Sequence, residues 1–259
     1  MKSDLNITAL QVPLVWEEVA INRNFIDAQL QGLTSQSDVI LLPEMFTSGF
    51  TMKPKAVSET MQGETIQWMK EWAKKLDSAL GGSLVIEENE KFYNRFIFIT
   101  PEGELSYYDK RHPFTLAGEH LVYNTGTNDG LINYKGWKIC LRICYDLRFP
   151  VWSRNTQYYD ILIYVANWPS PRINAWDILL QARAIENMSY VIGVNRIGED
   201  KKGNVYPGHT AVYDGLGKCI STQNNSDESE VTAKLNYLDQ QELRKQLHFL
   251  EDQDSFDLC

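Results

Sequence analysis

Three residues able to do chemistry together each stand where a strand-like run ends. Glu44 follows VILLP, Lys110 follows LSYYD and Cys144 follows WKICLRI. A thiolate is a strong nucleophile, but only about a few per cent of a free thiol is ionised near neutral pH. A carboxylate within hydrogen-bond reach can take the thiol proton during attack. An ammonium, with a backbone N–H at the turn, can stabilise the oxyanion of a tetrahedral intermediate. Such chemistry requires no metal. Taken singly, each residue has an ordinary use. A cysteine in an apolar strand is commonly core, and a Glu or Lys after a strand is commonly solvated. Their shared placement matters because ligands in open α/β sheets gather at the carboxyl ends of strands.

The residues after Cys144 read YDLRFP. Proline favours the first helical position, so a helix is expected to start near Pro150. A cysteine at a strand–turn–helix junction is held up and exposed, with amide donors nearby. That is mechanically a nucleophile elbow, although the flanking glycines of GxSxG are missing. Strand alternation puts Cys140, Arg142 and Cys144 on one face. An arginine inside this apolar strand either pairs with a buried acid or lowers the Cys144 pKa.

The elements that must position these groups are read from hydrophobic period and turn chemistry. Strands are expected at Leu5–Gln11, Asp38–Leu42, Ile161–Ala166 and Tyr190–Arg196. Hairpins are expected from Ser83–Glu88 with Phe92–Thr100, and from Leu131–Lys135 with Trp137–Ile143 around Gly136. Leu105–Lys110 is a further strand, and shorter ones are expected near 210–213, 218–222 and 229–235. Helices are expected over Val19–Gly32, Thr65–Leu80 (with Gly81 just beyond), Ile173–Met188 and 237–247. Strands apolar on both sides alternate with amphipathic helices, which predicts an α/β protein with helices covering sheets. No linker or short repeat divides the chain, so residues 1–259 read as one domain. The acidic end, 249–259, reads as a solvated or loosely packed tail.

The bulk numbers exclude several functions. A net charge of −9 argues against a nucleic-acid surface. No stretch approaches the roughly 18 apolar residues of a membrane span. The N-terminal segment lacks the apolar region of a signal peptide, so the cytoplasm is the expected compartment. Four cysteines and four histidines are scattered, without a CxxC, an HExxH or a Cys/His cluster. No GxGxxG or GxxxxGK[ST] supports a nucleotide cofactor. The expectation is no metal and no cofactor apart from water.

The segments LLPEMFTSGF, YYDKRHPF and CYDLRFPVWSRN, in this order and spacing, resemble the nitrilase superfamily of carbon–nitrogen hydrolases. The resemblance runs from the first strand to about residue 235. It implies a four-layer αββα sandwich, packed as a homodimer or larger homo-oligomer. It also implies a Glu–Lys–Cys triad, here Glu44, Lys110 and Cys144. A second family glutamate matches Glu119, expected to orient Lys110 and hold substrate polar groups. The phrases LPEMFTSGF, KRHPFTLAGEH and YVANWPSP look closest to the bacterial omega-amidase branch, which hydrolyses 2-oxoglutaramate, 2-oxosuccinamate and related ω-amides. A nitrilase with the same triad is the nearest alternative. A non-catalytic binding or scaffold member of the fold is a more distant one.

For such a substrate, Arg148 could clamp the carboxylate in bidentate fashion. Its alternative use is an ion pair with Asp146 or another acid. The Tyr145 N–H is expected to join Lys110 at the oxyanion. Phe46, Tyr145 and Trp168 are candidate apolar walls, with core packing as the alternative for each. Asn167, at another strand end, could donate to substrate or stabilise its turn.

Overall fold

We describe a computed structural model covering residues 4–34, 36–222 and 227–257. In chain order the strands are β1 (Leu5–Gln11), β2 (Val39–Leu41), β3 (Ala79–Glu88), β4 (Lys91–Ile99), β5 (Leu105–Asp109), β6 (Leu131–Tyr134), β7 (Trp137–Ile143), β8 (Ile161–Ala166), β9 (Tyr190–Asn195), β10 (Ile197–Glu199), β11 (Val205–Pro207), β12 (Ala211–Tyr213) and β13 (Ser229–Leu235). The α-helices are α1 (Val19–Gln31), α2 (Glu64–Leu76), α3 (Ile173–Asn187) and α4 (Tyr237–Leu247).

A six-stranded sheet in the order β13-β1-β2-β3-β4-β5 faces a five-stranded sheet in the order β12-β9-β8-β7-β6. The two-residue period of the strands sorts their side chains between layers. From β1 and β2, Ile7, Ala9, Val39 and Leu41 point into the core between the sheets, against Ile139, Leu141, Ile163, Val165 and Ile192. The alternate residues Leu10, Ile40 and Leu42 point outward and pack with Ile26 and Leu30 of α1 and Ile66 and Met69 of α2. On the other side, Leu162, Tyr164 and Ala166 of β8 meet Trp176, Leu180 and Ala184 of α3. The result is the αββα sandwich. Its inner strands are apolar on both faces because both faces are covered.

Four details differ from the sequence reading. Helix α2 stops at Leu76, four residues early, because Asp77 turns left-handed (φ 50°). Ala79 and Leu80 then pair with Val39 and Ile40 as the start of β3. Gly81 lies inside that strand. A side chain there would press on Leu41 and Phe96 of the two flanking strands, so its smallness serves close packing between neighbouring strands, not a helix stop. No helix begins at Pro150. Cys144–Arg148 and Val151–Ser153 are separate 3₁₀ turns, because Asp146 caps the first one tightly. Among the described residues the stretch 218–222 makes one isolated bridge, Cys219 to Tyr213, and forms no strand. The small antiparallel pair β10–β11 was not foreseen; its segments are too short to show a period. Beyond α4, residues 249–257 carry no helix or strand and are mostly exposed, although Leu250 is buried and Gln253 reaches the Asn155 carbonyl. Residues 258–259 of that tail lie outside the described residues.

Candidate active site

Strand β2 runs parallel to β1 and β3, and β7, β8 and β9 run parallel to each other. Glu44, Cys144, Asn167 and Arg196 therefore all come after carboxyl ends of parallel strands. Lys110 comes after β5 and reaches the same place. The three groups singled out in the sequence meet there.

Lys110 is the hub. Its Nζ donates to Glu44 Oε1 at 3.0 Å and to both Glu119 oxygens at 3.0 and 2.9 Å. Glu44 and Glu119 are fully buried and Lys110 is 2 % exposed. Burial alone would lower the lysine pKa, but the facing Glu119 and Glu44 carboxylates more than offset it and hold the ammonium charged. Glu119 is pushed up by burial and by Glu44, and pulled back by Lys110. It also accepts the Phe114 N–H, which ties the loop after Lys110 to the lysine itself.

Glu44 is fixed on both oxygens. Oε1 also accepts Asn94 Nδ2 at 2.7 Å, and Oε2 accepts the Asn167 N–H at 2.8 Å. Asn94 is in turn held by Ser83 Oγ at 2.8 Å, and Ser83 Oγ receives the Met45 N–H at 2.8 Å. A carboxylate this constrained is aimed before any ligand arrives.

Cys144 opens the 3₁₀ turn after β7 with a left-handed backbone, φ 44°. A side chain in that region costs about 1–2 kcal/mol, a strain typical of functional positions. The sulfur-bearing side chain is partly exposed and lines a cavity of about 240 Å³. Burial pushes the thiol pKa well up; the Glu44 charge adds to this and Lys110 opposes it. The resting group is a neutral thiol facing a carboxylate base. The Tyr145 N–H lies in the first turn of the 3₁₀ segment, where backbone donors have no partner within the turn. Tyr145 itself lines the cavity, with Phe114 edge-on at 4.9 Å.

Of the expected walls, Trp168 lines the cavity and Phe46 does not. Phe46 is fully buried on the outer side of its sheet, packed against Trp68 and over Gly82. The left-handed Met45 (φ 45°) turns the chain between Glu44 and Phe46 and sends the ring into the helix layer. Phe50 forms that wall instead, its ring centroid 5.1 Å from Lys110 Nζ. Arg148 is exposed at the cavity, its guanidinium 5.1 Å from the Trp168 ring. Among the described residues it has no carboxylate within 4 Å. Asp146 is occupied elsewhere: it accepts Tyr108 Oη at 2.8 Å, the Ile143 N–H at 3.0 Å and the His112 N–H at 3.1 Å, and contacts His112 Nδ1 at 2.7 Å. Asn167 cannot donate to substrate as expected, because its donors are used on Glu44: N–H to Oε2, and Nδ2 to the carbonyl oxygen at 2.6 Å.

Arg142 fits neither sequence-derived alternative. Its guanidinium donates to the carbonyls of Asp129, Leu141 and Trp152, each at 2.8 Å, and stacks near Tyr108 and Trp152. The charges acting most on the Cys144 thiol are those of Glu44, Lys110 and Glu119. Arg142 is a strut that ties the β7 end to neighbouring loops.

Sequence reasoning missed Asn94, Asp146 and Arg172. Asn94 and Asp146 are fully or nearly fully buried polar residues, and a polar group in an apolar run is the one signal that could have flagged them. Asp146 joins the nucleophile turn to the end of β5, because Tyr108 Oη both donates to it and accepts the Arg111 N–H at 3.2 Å. Arg172 lines the cavity over the Phe114 ring, and the β10–β11 hairpin brings Lys202 and Tyr206 to the same wall. Among the described residues, no group of three His, Cys, Asp or Glu side chains could hold a metal ion.

An αββα sandwich with a buried Glu–Lys–Glu cluster beside a left-handed, cavity-facing cysteine is the arrangement that places this chain among the carbon–nitrogen hydrolases. Residues 7–245 match the Carbon-nitrogen hydrolase family, and the chain belongs to it. It is 43 % identical over 254 residues to the omega-amidase YafV of Escherichia coli K12, covering 98 % of each chain. It is 31 % identical over 251 residues to the 2-oxoglutaramate amidase of Bacillus subtilis, covering 95 % of this chain and 96 % of that one. A crystal structure of a CN-hydrolase superfamily protein from Xanthomonas campestris, with an arsenic adduct in its active site, superposes with a TM-score of 0.95 at 40 % identity. That match covers 99 % of this chain and 100 % of the other. The protein is therefore a hydrolase acting on carbon–nitrogen bonds other than peptide bonds.

Proposed function

We propose that this protein is an ω-amidase. It hydrolyses the terminal amide of 2-oxo dicarboxylic monoamides such as 2-oxoglutaramate and 2-oxosuccinamate. Glu44 takes the Cys144 proton as sulfur attacks the amide carbon. Lys110 Nζ and the Tyr145 N–H hold the oxyanion. Glu44 returns the proton to nitrogen, the C–N bond breaks and ammonia leaves a thioester. Glu44 then deprotonates a water that attacks the thioester, and the dicarboxylate departs as the thiol is restored. Glu119 keeps Lys110 charged and in place.

The observation carrying this reading is that Cys144 lines a cavity together with Arg148, Arg172 and Lys202, while the charges of the bonded Glu44–Lys110 pair act on its thiol from behind. The one acid there, Asp200, is engaged by the Lys202 and Asn204 N–H groups and by Tyr206 Oη. The cavity thus presents cations to a ligand although the chain as a whole is acidic. It has room for a small acid, not a polymer. Arg148, unpaired and laid on Trp168, is the carboxylate clamp.

The test is ammonia release from 2-oxoglutaramate, 2-oxosuccinamate, glutamine, asparagine and simple nitriles. The 2-oxo amides should be the best substrates; faster turnover of nitriles would replace this reading. Arg148→Ala should raise KM for 2-oxoglutaramate by roughly 10- to 100-fold, in line with loss of a charge-assisted hydrogen bond, and leave a neutral amide nearly unchanged. Equal losses on both would remove the clamp.

We also read the protein as a cytoplasmic homodimer. The free thiols of Cys140 and Cys144 suit a reducing compartment. Helix α3 leaves Ile178 and Ile185 about half exposed, with Leu216 more so. Two copies packed there would cover this apolar strip. Analytical ultracentrifugation should find two chains per particle, and Ile178→Glu should yield one.

A further inference from the structure

We propose that Asn167 Oδ1 accepts a hydrogen bond from the NH₂ group of the scissile amide and thereby selects primary amides. The inference rests on the amidase reading and adds a residue that touches the leaving group. Asn167 comes directly after β8, is 5 % exposed and forms part of the cavity wall with Cys144. Three contacts to Glu44 fix its orientation: N–H to Oε2 at 2.8 Å, Nδ2 to the carbonyl oxygen at 2.6 Å, and a longer Nδ2 to Oε2 at 3.5 Å. A flipped carboxamide would set Oδ1 against the Glu44 carbonyl, acceptor against acceptor. Nδ2 is therefore held on Glu44, and Oδ1 is the atom left over.

Oδ1 is buried and has no hydrogen-bond donor among the described residues. A buried carbonyl oxygen without a donor is unfavourable, and native structures rarely leave one unless function uses it. The other polar side chains around Glu44 are not in this state. Asn94 Oδ1 receives Ser83 Oγ, and Lys110 and Glu119 bond each other. The chemistry supplies a matching donor. In the tetrahedral intermediate the oxygen needs donors, which Lys110 Nζ and the Tyr145 N–H provide, and the nitrogen carries two N–H bonds that need acceptors. Glu44 at that stage holds the thiol proton and delivers it to the nitrogen lone pair, which leaves Asn167 Oδ1 as the acceptor for an N–H. An ester or a nitrile has no N–H to offer it.

The experiment compares 2-oxoglutaramate with the ω-methyl ester of 2-oxoglutarate, which forms the same thioester. Asn167→Ala keeps the backbone N–H on Glu44. It should cut kcat/KM for the amide by roughly 10- to 100-fold and for the ester by less than about threefold, as expected from losing one buried hydrogen bond to the amide alone. Equal losses on both substrates would mean that Asn167 works only through Glu44, and would overturn the proposal. Asn167→Ser, whose hydroxyl is too short to reach, should give the same split, and it serves if the alanine variant melts early. Failure of the substrate reading looks different: the wild type would ignore 2-oxoglutaramate. The amide–ester pair is then built on whichever acid it does release from an amide.

Discussion

Cys144→Ala should lower ammonia release by about 10⁴-fold or more, to the level of the uncatalysed background, because no other group can form the covalent intermediate. Rapid quench of the wild type with 2-oxoglutaramate should trap an acyl mass on the peptide holding Cys144. An adduct on another residue, or an alanine variant that still turns over, would end the thioester mechanism. The backbone adds a second result. Position 144 is left-handed at φ 44°, which a glycine tolerates far better than any residue with a β-carbon. Cys144→Gly should therefore be inactive yet melt no lower than the wild type, the mark of a residue kept for chemistry at some cost to the fold. The thiol pKa makes the matching statement about pH. The Glu44 charge raises it. Glu44→Gln removes that charge, so the pH at which iodoacetamide alkylation accelerates should fall. Hydrolysis should collapse even so, because the proton acceptor is gone. A variant with a more reactive thiol and less turnover separates base catalysis from simple thiolate supply.

Much of this site was legible in the sequence because each group stands at the end of a strand. Apolar runs such as Val39–Leu41 and Trp137–Ile143 announce buried strands, and the residues just beyond them fall at the edge where ligands bind. The contacts made by buried polar side chains were not legible. Nothing local to Asn94 says that it will meet Glu44, fifty residues away in the chain. Nothing local to Asp146 says that it will cap Ile143 and hold Tyr108. Phe46 was misassigned for a related reason. Its type suits a pocket wall, but the left-handed turn at Met45 decides which layer receives the ring. Helix α2 was overrun because Ala79 and Leu80 suit a helix as well as a strand, and pairing with Val39 and Ile40 decided between them. Residue type and period indicate which groups are available, and left-handed turns and sheet register decide which way they face.

Lys110→Met should be the most damaging single change to both stability and rate. Glu44 and Glu119 are fully buried and share one cation. Removing one partner of a buried ion cluster typically costs about 3–5 kcal/mol, since the remaining charge has lost its counter-ion in a low-dielectric interior. Loss of an oxyanion donor adds a fall in kcat of roughly 10²- to 10³-fold in the protein that still folds. The direction with pH depends on which group takes up the proton. Burial and Glu44 already raise Glu119 in the wild type, and Lys110 is the main group opposing them. Without it, Glu119 should stay protonated to higher pH in the folded state than in the unfolded chain. A carboxyl raised in this way favours folding below its unfolded pKa and loses that advantage as pH rises through the folded value. The variant should therefore melt closest to the wild type near pH 5 and progressively lower toward pH 8. Adding Glu119→Gln to Lys110→Met removes the group that titrates, so the double variant should recover much of its melting temperature and flatten this pH dependence without regaining activity. If instead Lys110→Met alone melted like the wild type at pH 8, the Glu44–Lys110–Glu119 cluster would not be an interdependent buried unit, and Lys110 would lose its claim to be the charge that holds the site together.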